Sequence, residues 1–388
     1  MTSQNDYIVV GAGLLGLAAA RALSGRGHEV TVLEQAGVGH EGSGSKGGCR
    51  IFRFGYPEPE YVAMVARARG LWRELEDQSG RQLLLPVPHL TFGPDLPAVR
   101  AALAAAGLPC ELLPPDEAAA RFPAVRLPGP VLLEPESAVI AADQALAALA
   151  GDGPQVRTGV RVTGLADDGR RVRVETSAGP LSARVVIICA GPFTSGLLGP
   201  AGMAVPAAAT QEQVAYLAPA AAGAARPAAG QPRPDESPVA PIIIGHDAPS
   251  PYGLPVPGSD RYKFGLHHTG PPVRPGSQPQ DPDPAMTAAL VQAAAELLPG
   301  FSPDPVAAER CVYDNSPDHD FILDRVGQVV IGCGTSGHGF KFGPLLGEWL
   351  ASLATGERDD LPGPRFSLSR FARPQQAADW PGSAAWRT

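Results

Sequence analysis

The glycines near the start of the chain are spaced for binding a dinucleotide. Gly11, Gly13 and Gly16 form a G-x-G-x-x-G motif, and Glu34 follows 23 positions after Gly11. In such a motif the first glycine allows a tight turn, the second lets the backbone approach a pyrophosphate, and the third lets a helix pack on a sheet. Glu34 can accept hydrogen bonds from ribose hydroxyl groups and would repel a 2′-phosphate, which argues against NADP. The motif leaves FAD and NAD open as alternatives.

The lysines are the second group of residues that could do chemistry. Of 31 basic side chains only three are lysine, namely Lys46, Lys263 and Lys341. A lysine ammonium is a compact charge whose pKa shifts readily on burial, whereas arginine stays charged and binds through a planar fork. Because arginine takes nearly every other basic position, we expect each lysine to have a specific role.

Strands and helices must position these residues. An apolar segment at residues 7–10 precedes the glycine motif, an Ala- and Leu-rich helix continues to about residue 26, and residues 29–33 form a strand that ends at Glu34. This order is that of a nucleotide-binding βαβ unit. Apolar spacing further predicts helices at 60–79, 285–298 and 341–355 and strands at 156–163, 171–176, 184–189, 311–313, 320–323 and 328–332.

Composition argues against several classes of function. The net charge is −8 and no basic stripe is present, so nucleic acid is not expected as a partner. No apolar run reaches the ~18–20 residues of a membrane-spanning helix, and the first residues lack the features of a secretory signal. We therefore expect a cytoplasmic protein without membrane association. Five cysteines without a C-x-x-C pair indicate neither a disulfide framework nor a metal site.

Two segments in the C-terminal half are more specific. Residues 310–324 read RCVYDNSPDHDFILD, and residues 332–342 read GCGTSGHGFKF. Together with the glycine motif and CRIFR at residues 49–53, they resemble the monomeric sarcosine oxidase and N-methyltryptophan oxidase family of FAD-dependent amine oxidases, within the D-amino acid oxidase-like superfamily. The resemblance extends from residue 7 to about residue 370, with the motifs in the family's order and spacing.

The resemblance implies an α/β fold in which a Rossmann-type FAD-binding domain adjoins an antiparallel-sheet substrate domain. The expected FAD-binding domain comprises residues 1–82, 140–205 and 310–388, and the substrate domain residues 83–139 and 206–309. Residues 217–240 are almost entirely Ala, Pro, Gly and Arg and are predicted to form a flexible surface insertion.

The resemblance also implies how FAD is held. Cys311 falls on the position that is bonded through sulfur to the flavin 8-methyl group. Arg50 matches an arginine that lies against the flavin ring, and Lys46 just before it is expected near the cofactor. The turn before the last predicted helix is expected to face the flavin pyrimidine through Gly337, His338, Gly339 and Phe340. We expect His338 to pack or hydrogen-bond there rather than to act as an acid or base.

The substrate side follows from the same resemblance. Arg53 and Lys341 fall on the positions that bind the substrate carboxylate, an arrangement that fixes both orientation and charge. Lys263 matches the residue through which this family uses oxygen, since an ammonium near the flavin stabilises the anion formed from O2. The resemblance places the remaining pocket residues, which are predicted to shape the site and hydrogen-bond the substrate, at Tyr252, His267 and Tyr313.

The expected activity is oxidation of a small secondary α-amino acid, such as sarcosine, an N-methyl amino acid or a cyclic imino acid. The products would be an imine and, after reaction with O2, hydrogen peroxide, and the enzyme is expected to be a monomer. Cys49 and Phe54 depart from the family pattern, which leaves the substrate open. Alternatives are a dehydrogenase with another electron acceptor, a biosynthetic imino-acid oxidase, an NAD-dependent imino-acid reductase and a flavin-bearing assembly subunit.

Overall fold

The computed structural model describes residues 4–220, 240–277, 281–357 and 360–371. The strands within these residues are β1 (Gln4–Val10), β2 (Val30–Leu33), β3 (Cys49–Phe52), β4 (Leu84–Pro86), β5 (His89–Phe92), β6 (Glu111–Leu113), β7 (Val131–Glu134), β8 (Ala138–Ala141), β9 (Gln155–Arg157), β10 (Val162–Asp167), β11 (Val172–Thr176), β12 (Leu181–Ile188), β13 (Ala208–Pro219), β14 (Ile242–Gly245), β15 (Ser250–Pro255), β16 (Tyr262–His267), β17 (Phe301–Asn315), β18 (Ile322–Val326) and β19 (Val329–Cys333). The helices are α1 (Leu14–Gly25), α2 (Pro59–Ser79), α3 (Leu96–Ala105), α4 (Pro115–Arg121), α5 (Ala142–Leu149), α6 (Thr194–Leu198), α7 (Pro284–Leu297) and α8 (Gly343–Thr355).

The first sheet is built around β1 and has a parallel centre. β1 lies between β2 and β12, β9 extends the sheet beyond β2, and β19 pairs with the end of β12, all in parallel. Successive β1 side chains enter two different cores: Tyr7 and Val9 pack in the core that contains α1 and α8, whereas Ile8 and Val10 pack in the core on the opposite face. Burial of both faces explains why residues 7–10 are continuously apolar.

The second sheet has eight strands in the order β17-β13-β16-β15-β14-β5-β7-β6. Its pairs are antiparallel except for β14 with β5. The long β13–β17 pair sets Cys311 opposite Glu212 and Tyr313 opposite Thr210. A third, three-stranded sheet, β3-β8-β4, contains Cys49 and Arg50. The expected α/β fold, with a Rossmann-type sheet and a mainly antiparallel one, is confirmed.

Three sequence-based expectations need correction. The strand expected at 156–163 is two strands, β9 on the parallel side of the sheet and β10 on its antiparallel side, because Gly159 turns the chain between them with φ +72°. The strand expected at 311–313 is part of the much longer β17, which begins at Phe301 and therefore crosses the expected domain boundary at residue 310. The expected insertion at 217–240 begins too early, since β13 continues to Pro219 and Leu217 is buried. Residues 221–239 lie outside the described residues.

Helix α8 packs on α1 through small residues. A Cβ added at Gly347 would come 2.5 Å from the carbonyl carbon of Ala18, so the close approach of the two helices requires glycine at this position. None of the helices in the described part of the chain combines the length and the hydropathy that a membrane crossing requires.

The substitution Gly347→Ala should lower the free energy of unfolding by ~1–3 kcal/mol, because the methyl group meets backbone that cannot move away cheaply. The matched control is Gly70→Ala in the exposed face of α2, where an added Cβ meets nothing within 4 Å. That control should instead stabilise the protein by ~0.5–1 kcal/mol. Urea unfolding of the two variants measures both effects, and equal effects would contradict the packing account.

Candidate functional site

A cavity of about 1250 Å³ lies between the first and second sheets. Nearly all the residues that the sequence indicates as functional line it. They are Gly11, Gly13, Glu34, Lys46, Arg50, Arg53, Tyr252, Lys263, His267, Cys311, Tyr313, Gly337, His338, Gly339, Phe340 and Lys341. Gly16 does not line the cavity. It lies within α1, where a Cβ would come 1.9 Å from the Gly11 carbonyl oxygen, so its role is packing.

One end of the cavity has the features of a nucleotide site. Gly11 has φ +101°, and a Cβ there would lie 2.4 Å from the carbonyl oxygen of Cys189. Gly13 caps α1 and faces the cavity, where an added Cβ would come within 3.1 Å of the Ser45 hydroxyl oxygen. The positive end of the α1 dipole is therefore directed at the cavity, which is the environment that a pyrophosphate prefers.

Glu34 ends β2 at the same end of the cavity. One oxygen of its carboxylate accepts a hydrogen bond from the amide of Ala12, and the other accepts one from the amide of Ala36, both at 2.9 Å. These contacts fix a buried carboxylate at the edge of the parallel sheet. Each carboxylate oxygen keeps a second lone pair, so the group can still accept from a ribose hydroxyl.

Arg50 organises the loop between the nucleotide end and the middle of the cavity. Its guanidinium donates to the carbonyl oxygens of Gly44 and Lys46 and lies 5.4 Å from the centre of the Phe340 ring. Lys46 itself pairs with the exposed Glu41 at 2.6 Å. Both residues thus line the cavity while holding its wall in place, and Arg50 brings a fixed positive charge to the cavity's centre.

Lys263 and Cys311 project from the second sheet into the middle of the cavity. Lys263 is buried, and its pKa is lowered by that burial and by the nearby Arg50 guanidinium. Desolvation raises the pKa of the Cys311 thiol, while Lys263 and Arg50 act in the opposite direction. The amine of Lys263 and the thiol of Cys311, on β16 and β17, thus line the same side of the cavity and are available to a flat group bound there.

Tyr252, His267 and Tyr313 form one aromatic wall. The rings of Tyr252 and His267 stack at 4.2 Å, and the Tyr313 hydroxyl lies 3.1 Å from His267 Nδ1. Desolvation, reinforced by the neighbouring His268, lowers the pKa of His267 well below its ordinary value. The imidazole is therefore neutral at pH 7 and serves as a hydrogen-bonding group.

Arg53 and Lys341 create a buried positive region at the far end of the cavity. Lys341 Nζ donates to the Tyr56 hydroxyl at 2.9 Å and to the His338 carbonyl oxygen at 2.7 Å. The Arg53 guanidinium lies 4.2 Å from the centre of the same Tyr56 ring. Arg53 Nη1 is buried without a hydrogen-bond partner among the described residues, and no carboxylate of that part of the chain lies within ion-pair distance of either cation. A small carboxylate would satisfy both groups.

The turn between β19 and α8 is held by Asp314. The buried Asp314 carboxylate accepts from the amide of Gly334 at 2.8 Å and from the Thr335 hydroxyl. At Gly337, with φ +77°, an added Cβ would come 2.2 Å from the Tyr313 ring. The turn therefore has a fixed shape, and its backbone can approach a planar ligand closely.

His338 is part of this framework. Its Nδ1 lies 3.2 Å from the Tyr56 hydroxyl and its Nε2 lies 3.1 Å from the His319 carbonyl oxygen. Burial, together with Lys341, lowers its pKa well below the ordinary value. Each ring nitrogen of His338 thus has a partner among the described residues, and neither is left free for proton transfer. These contacts favour a positioning role for His338.

Sequence reasoning missed several residues of the site. Tyr56 lies three positions after Arg53 and connects it to Lys341, yet a tyrosine after a strand carries no signal of that contact. Asp314 follows directly on Tyr313, within a segment already singled out, and that adjacency could have indicated it. Ser45, which accepts a hydrogen bond from the amide of Leu14 at 3.0 Å, lies in a loop without any distinguishing pattern.

The residues present fit FAD. Glycines leave room at the helix end where a pyrophosphate would lie, and Glu34 offers a ribose acceptor. The cavity then continues past Arg50 to Cys311 and Lys263, the wall suited to a flat ring system. Beyond that wall, Arg53 Nη1 has no hydrogen-bond partner among the described residues, and this leaves a separate place for a small anionic ligand.

Comparisons with known proteins also point to FAD. Residues 6–353 match the FAD dependent oxidoreductase family. The chain is 33% identical to the peroxisomal sarcosine oxidase of Mus musculus, over 96% of this chain and 98% of the relative. It is 28% identical to the monomeric sarcosine oxidase of Bacillus sp. (strain NS-129), over 97% of this chain and 100% of the relative. The solved structure of NikD, an amino acid oxidase essential for nikkomycin biosynthesis, superposes with a TM-score of 0.80 at 26% identity, covering 94% of this chain and 98% of NikD. Of the two dinucleotides that the glycine motif leaves open, the family decides for FAD.

Binding of a small carboxylate to the protein should weaken as the pH rises. Burial and Arg53 lower the pKa of Lys341 well below its ordinary value, so its ammonium is lost at a lower pH than that of an exposed lysine. Affinity for propionate is therefore greatest below that pKa and falls as the pH passes through it.

Titration of the flavin absorbance with propionate, from about pH 6 to about pH 10, measures this dependence. In Lys341→Met the affinity at the acid end should fall roughly tenfold, and the alkaline decrease should disappear because Arg53 stays charged. An affinity in the unaltered protein that stays constant over the whole range would contradict the assignment of Lys341.

Proposed function

The chain belongs to the FAD dependent oxidoreductase family, to which it is matched over most of its length, and on that premise we propose that it oxidises a small secondary α-amino acid with O2 as the electron acceptor. The observation that carries the proposal is that the buried cations Arg53 and Lys341 line the same cavity as Tyr252, His267 and Lys263. We further propose that it acts as a monomer in the cytoplasm. Its domain division is proposed to be the one expected from the sequence, except that residues 310–315 join the second sheet as the end of β17.

The chemistry that FAD would supply when bound is acceptance of a hydride equivalent from the carbon next to the substrate nitrogen, with an imine as product and O2 as the final acceptor, reduced to hydrogen peroxide. Gly11, Gly13 and Glu34 would hold the nucleotide part. Arg50, and the turn around Gly337, would lie against the ring system. The chain's own residues therefore have two tasks, to orient the substrate and to set the charge around the reacting atoms.

Arg53 and Lys341 orient the substrate. A carboxylate bound between a guanidinium and an ammonium is fixed in position and in direction. The adjacent Cα–N bond is then held in one orientation. Tyr56 holds the Lys341 ammonium from one side, and the turn carbonyl of His338 holds it from the other. The substrate carboxylate thus completes a set of charges that is already in place.

The electrostatics of the pocket favour a neutral amine. Lys263, Arg53 and Lys341 surround it with positive charge, and the low pKa of His267 keeps that imidazole uncharged. A protonated amine would be repelled, so the substrate is bound with the nitrogen lone pair free. His267, Tyr252 and Tyr313 then serve as hydrogen-bonding partners, and none of them needs to remove a proton.

Lys263 is proposed as the residue that promotes the reaction with oxygen. Its ammonium is buried and close to Arg50, so little water screens its charge. Such a charge stabilises the anion formed when O2 takes up an electron. Cys311, on the same wall, is proposed to hold the flavin through a thioether to its 8-methyl group.

The proposed activity is tested by adding amino acids to the yellow protein without oxygen. Sarcosine, other N-methyl amino acids and cyclic imino acids should bleach the flavin, whereas the corresponding esters, which lack the carboxylate, should not. Admission of O2 should restore the colour and release one equivalent of hydrogen peroxide per equivalent of imine. If no secondary amino acid bleaches the flavin, the proposed function is wrong.

In the same experiment Lys263→Met should be bleached by substrate at a near-normal rate but recolour ~100-fold or more slowly, since only the oxygen step uses the ammonium. Lys263→Arg keeps the charge and should recover part of the oxygen rate. An oxygen rate that Lys263→Met leaves unchanged would refute the role of Lys263.

The thioether is tested by acid precipitation. The yellow colour should stay with the pellet of the unaltered protein, and its mass should exceed that of the chain by one FAD. Cys311→Ser should release the colour into the supernatant, whereas the control Cys110→Ser, a half-buried cysteine outside the cavity wall, should retain it. Release of all flavin from the unaltered protein would exclude the covalent bond.

A further inference from the structure

A buried carboxylate and imidazole lie close to the proposed carboxylate site and have no part in the function above. Glu134 ends β7, and His89 opens the neighbouring strand β5, directly opposite in the antiparallel register. The His89 side chain is fully buried and that of Glu134 is 2% exposed. His89 Nδ1 donates to Glu134 Oε1 at 2.7 Å. A charged group buried this deeply needs a compensating partner.

The second oxygen of Glu134 holds the backbone that follows Arg53. Glu134 Oε2 accepts from the amide of Phe54 at 3.0 Å and from the amide of Gly55 at 2.8 Å. A Cβ added at Gly55 would lie 2.3 Å from Glu134 Oε1, so the contact requires glycine there. The carboxylate thus fixes the two peptide units that come directly after the guanidinium-bearing residue.

The charge of Glu134 is coupled to Arg53. Burial alone would raise the pKa of Glu134, but His89, Arg53 and the Gly55 amide together hold it below its ordinary value. Burial outweighs the adjacent carboxylate and lowers the pKa of His89. At neutral pH the pair is therefore a carboxylate and a neutral imidazole, with one negative charge near Arg53.

The other titratable groups around Arg53 carry little compensating charge. Burial lowers the pKa of His246 to about 4 and those of His267 and His338 well below their ordinary values. Burial raises the pKa of Tyr56 to about 12, so it is neutral as well. The exposed carboxylate of Asp95 lies beside His246 at 3.1 Å, and Lys341 supplies the second cation.

We propose that Glu134 is a specificity-determining positioning residue, which clamps the backbone after Arg53 and offsets the Arg53 charge so that the site accepts one carboxylate and discriminates against two. Glu134 offsets the charge of Arg53 from beyond ion-pair distance, so a single substrate carboxylate bound between Arg53 and Lys341 neutralises the rest. A second carboxylate would enter a desolvated region with no cation left to pair it. This inference rests on the proposed carboxylate site and restricts its substrates to monocarboxylic amino acids.

Two substitutions separate the charge from the clamp. Glu134→Gln keeps the length and an acceptor oxygen for both amides but removes the charge, whereas Glu134→Asp keeps the charge but is one methylene too short to reach the amides and His89 together. Glu136→Gln is the matched control, because Glu136 lies two positions away, exposed, and pairs with Arg69 on the surface. The probes are propionate and malonate, titrated against the flavin absorbance of the holoprotein near neutral pH.

The unaltered protein and Glu136→Gln should bind propionate more tightly than malonate. In Glu134→Gln malonate should bind more tightly relative to propionate, so the malonate-to-propionate ratio of dissociation constants should fall roughly tenfold. The reason is that one negative charge close to the site has been removed. In Glu134→Asp both anions should bind more weakly, by roughly tenfold, with their ratio unchanged. A merely structural Glu134 would lower thermal stability in both variants and leave the ratio unmoved.

A malonate-to-propionate ratio that stays constant in a folded, yellow Glu134→Gln protein overturns the inference about Glu134 and leaves the proposed function intact. If the unaltered holoprotein binds neither anion, the proposed carboxylate site itself is wrong. Should Glu134→Gln fail to fold, Gly55→Ala displaces the same carboxylate from Arg53. It should shift the ratio in the same direction, and an unchanged ratio there overturns the inference equally.

Discussion

Two cations buried side by side, Arg53 and Lys341, place the strongest demand on this structure. Like charges in a desolvated pocket repel, and each loses its hydration, so both are costly unless negative charge or dipoles surround them. The fold supplies the Tyr56 hydroxyl, the His338 carbonyl oxygen and, next to Arg53, the Glu134 carboxylate. The positive charge that remains uncompensated is the charge that the carboxylate of the proposed substrate would balance.

The two cations and the groups that surround them come from segments that are far apart in the chain. Arg53 follows β3 in the small sheet, Lys341 lies in the turn between β19 of the first sheet and α8, and Glu134 comes from β7 of the second sheet. The indole nitrogen of Trp72 on α2 donates to the Lys341 carbonyl oxygen at 2.7 Å and fixes the turn from behind. The site therefore forms only when all three sheets have packed together, which ties binding to the folded state.

Part of the fold and of the candidate site could be predicted from local sequence patterns. The β1–α1–β2 unit follows from apolar periodicity and the glycine motif, and the scarcity of lysine marked Lys263 and Lys341. The second sheet was not predictable in the same way, because its order depends on pairing across large sequence separations, as between β5 and β14. Glu134 contacts Phe54 and Gly55 about 80 positions away, and nothing near residue 134 in the sequence indicates that contact. The break within residues 156–163 could not be predicted, because valines spaced among polar residues do not show which sheet edge each half joins.

The same charges decide what kind of amine the site can use. His267 and His338 line the cavity, and burial and the neighbouring cations lower the pKa of both imidazoles so far that they stay neutral. The positive charge of Arg53 and Lys341 therefore opposes protonation of these imidazoles. In the proposed function, the nitrogen of a substrate in the same field would lose its proton for the same reason, without a dedicated base. Carboxylate recognition and amine activation would then be two consequences of one electrostatic arrangement, and a change that weakens the first would also weaken the second.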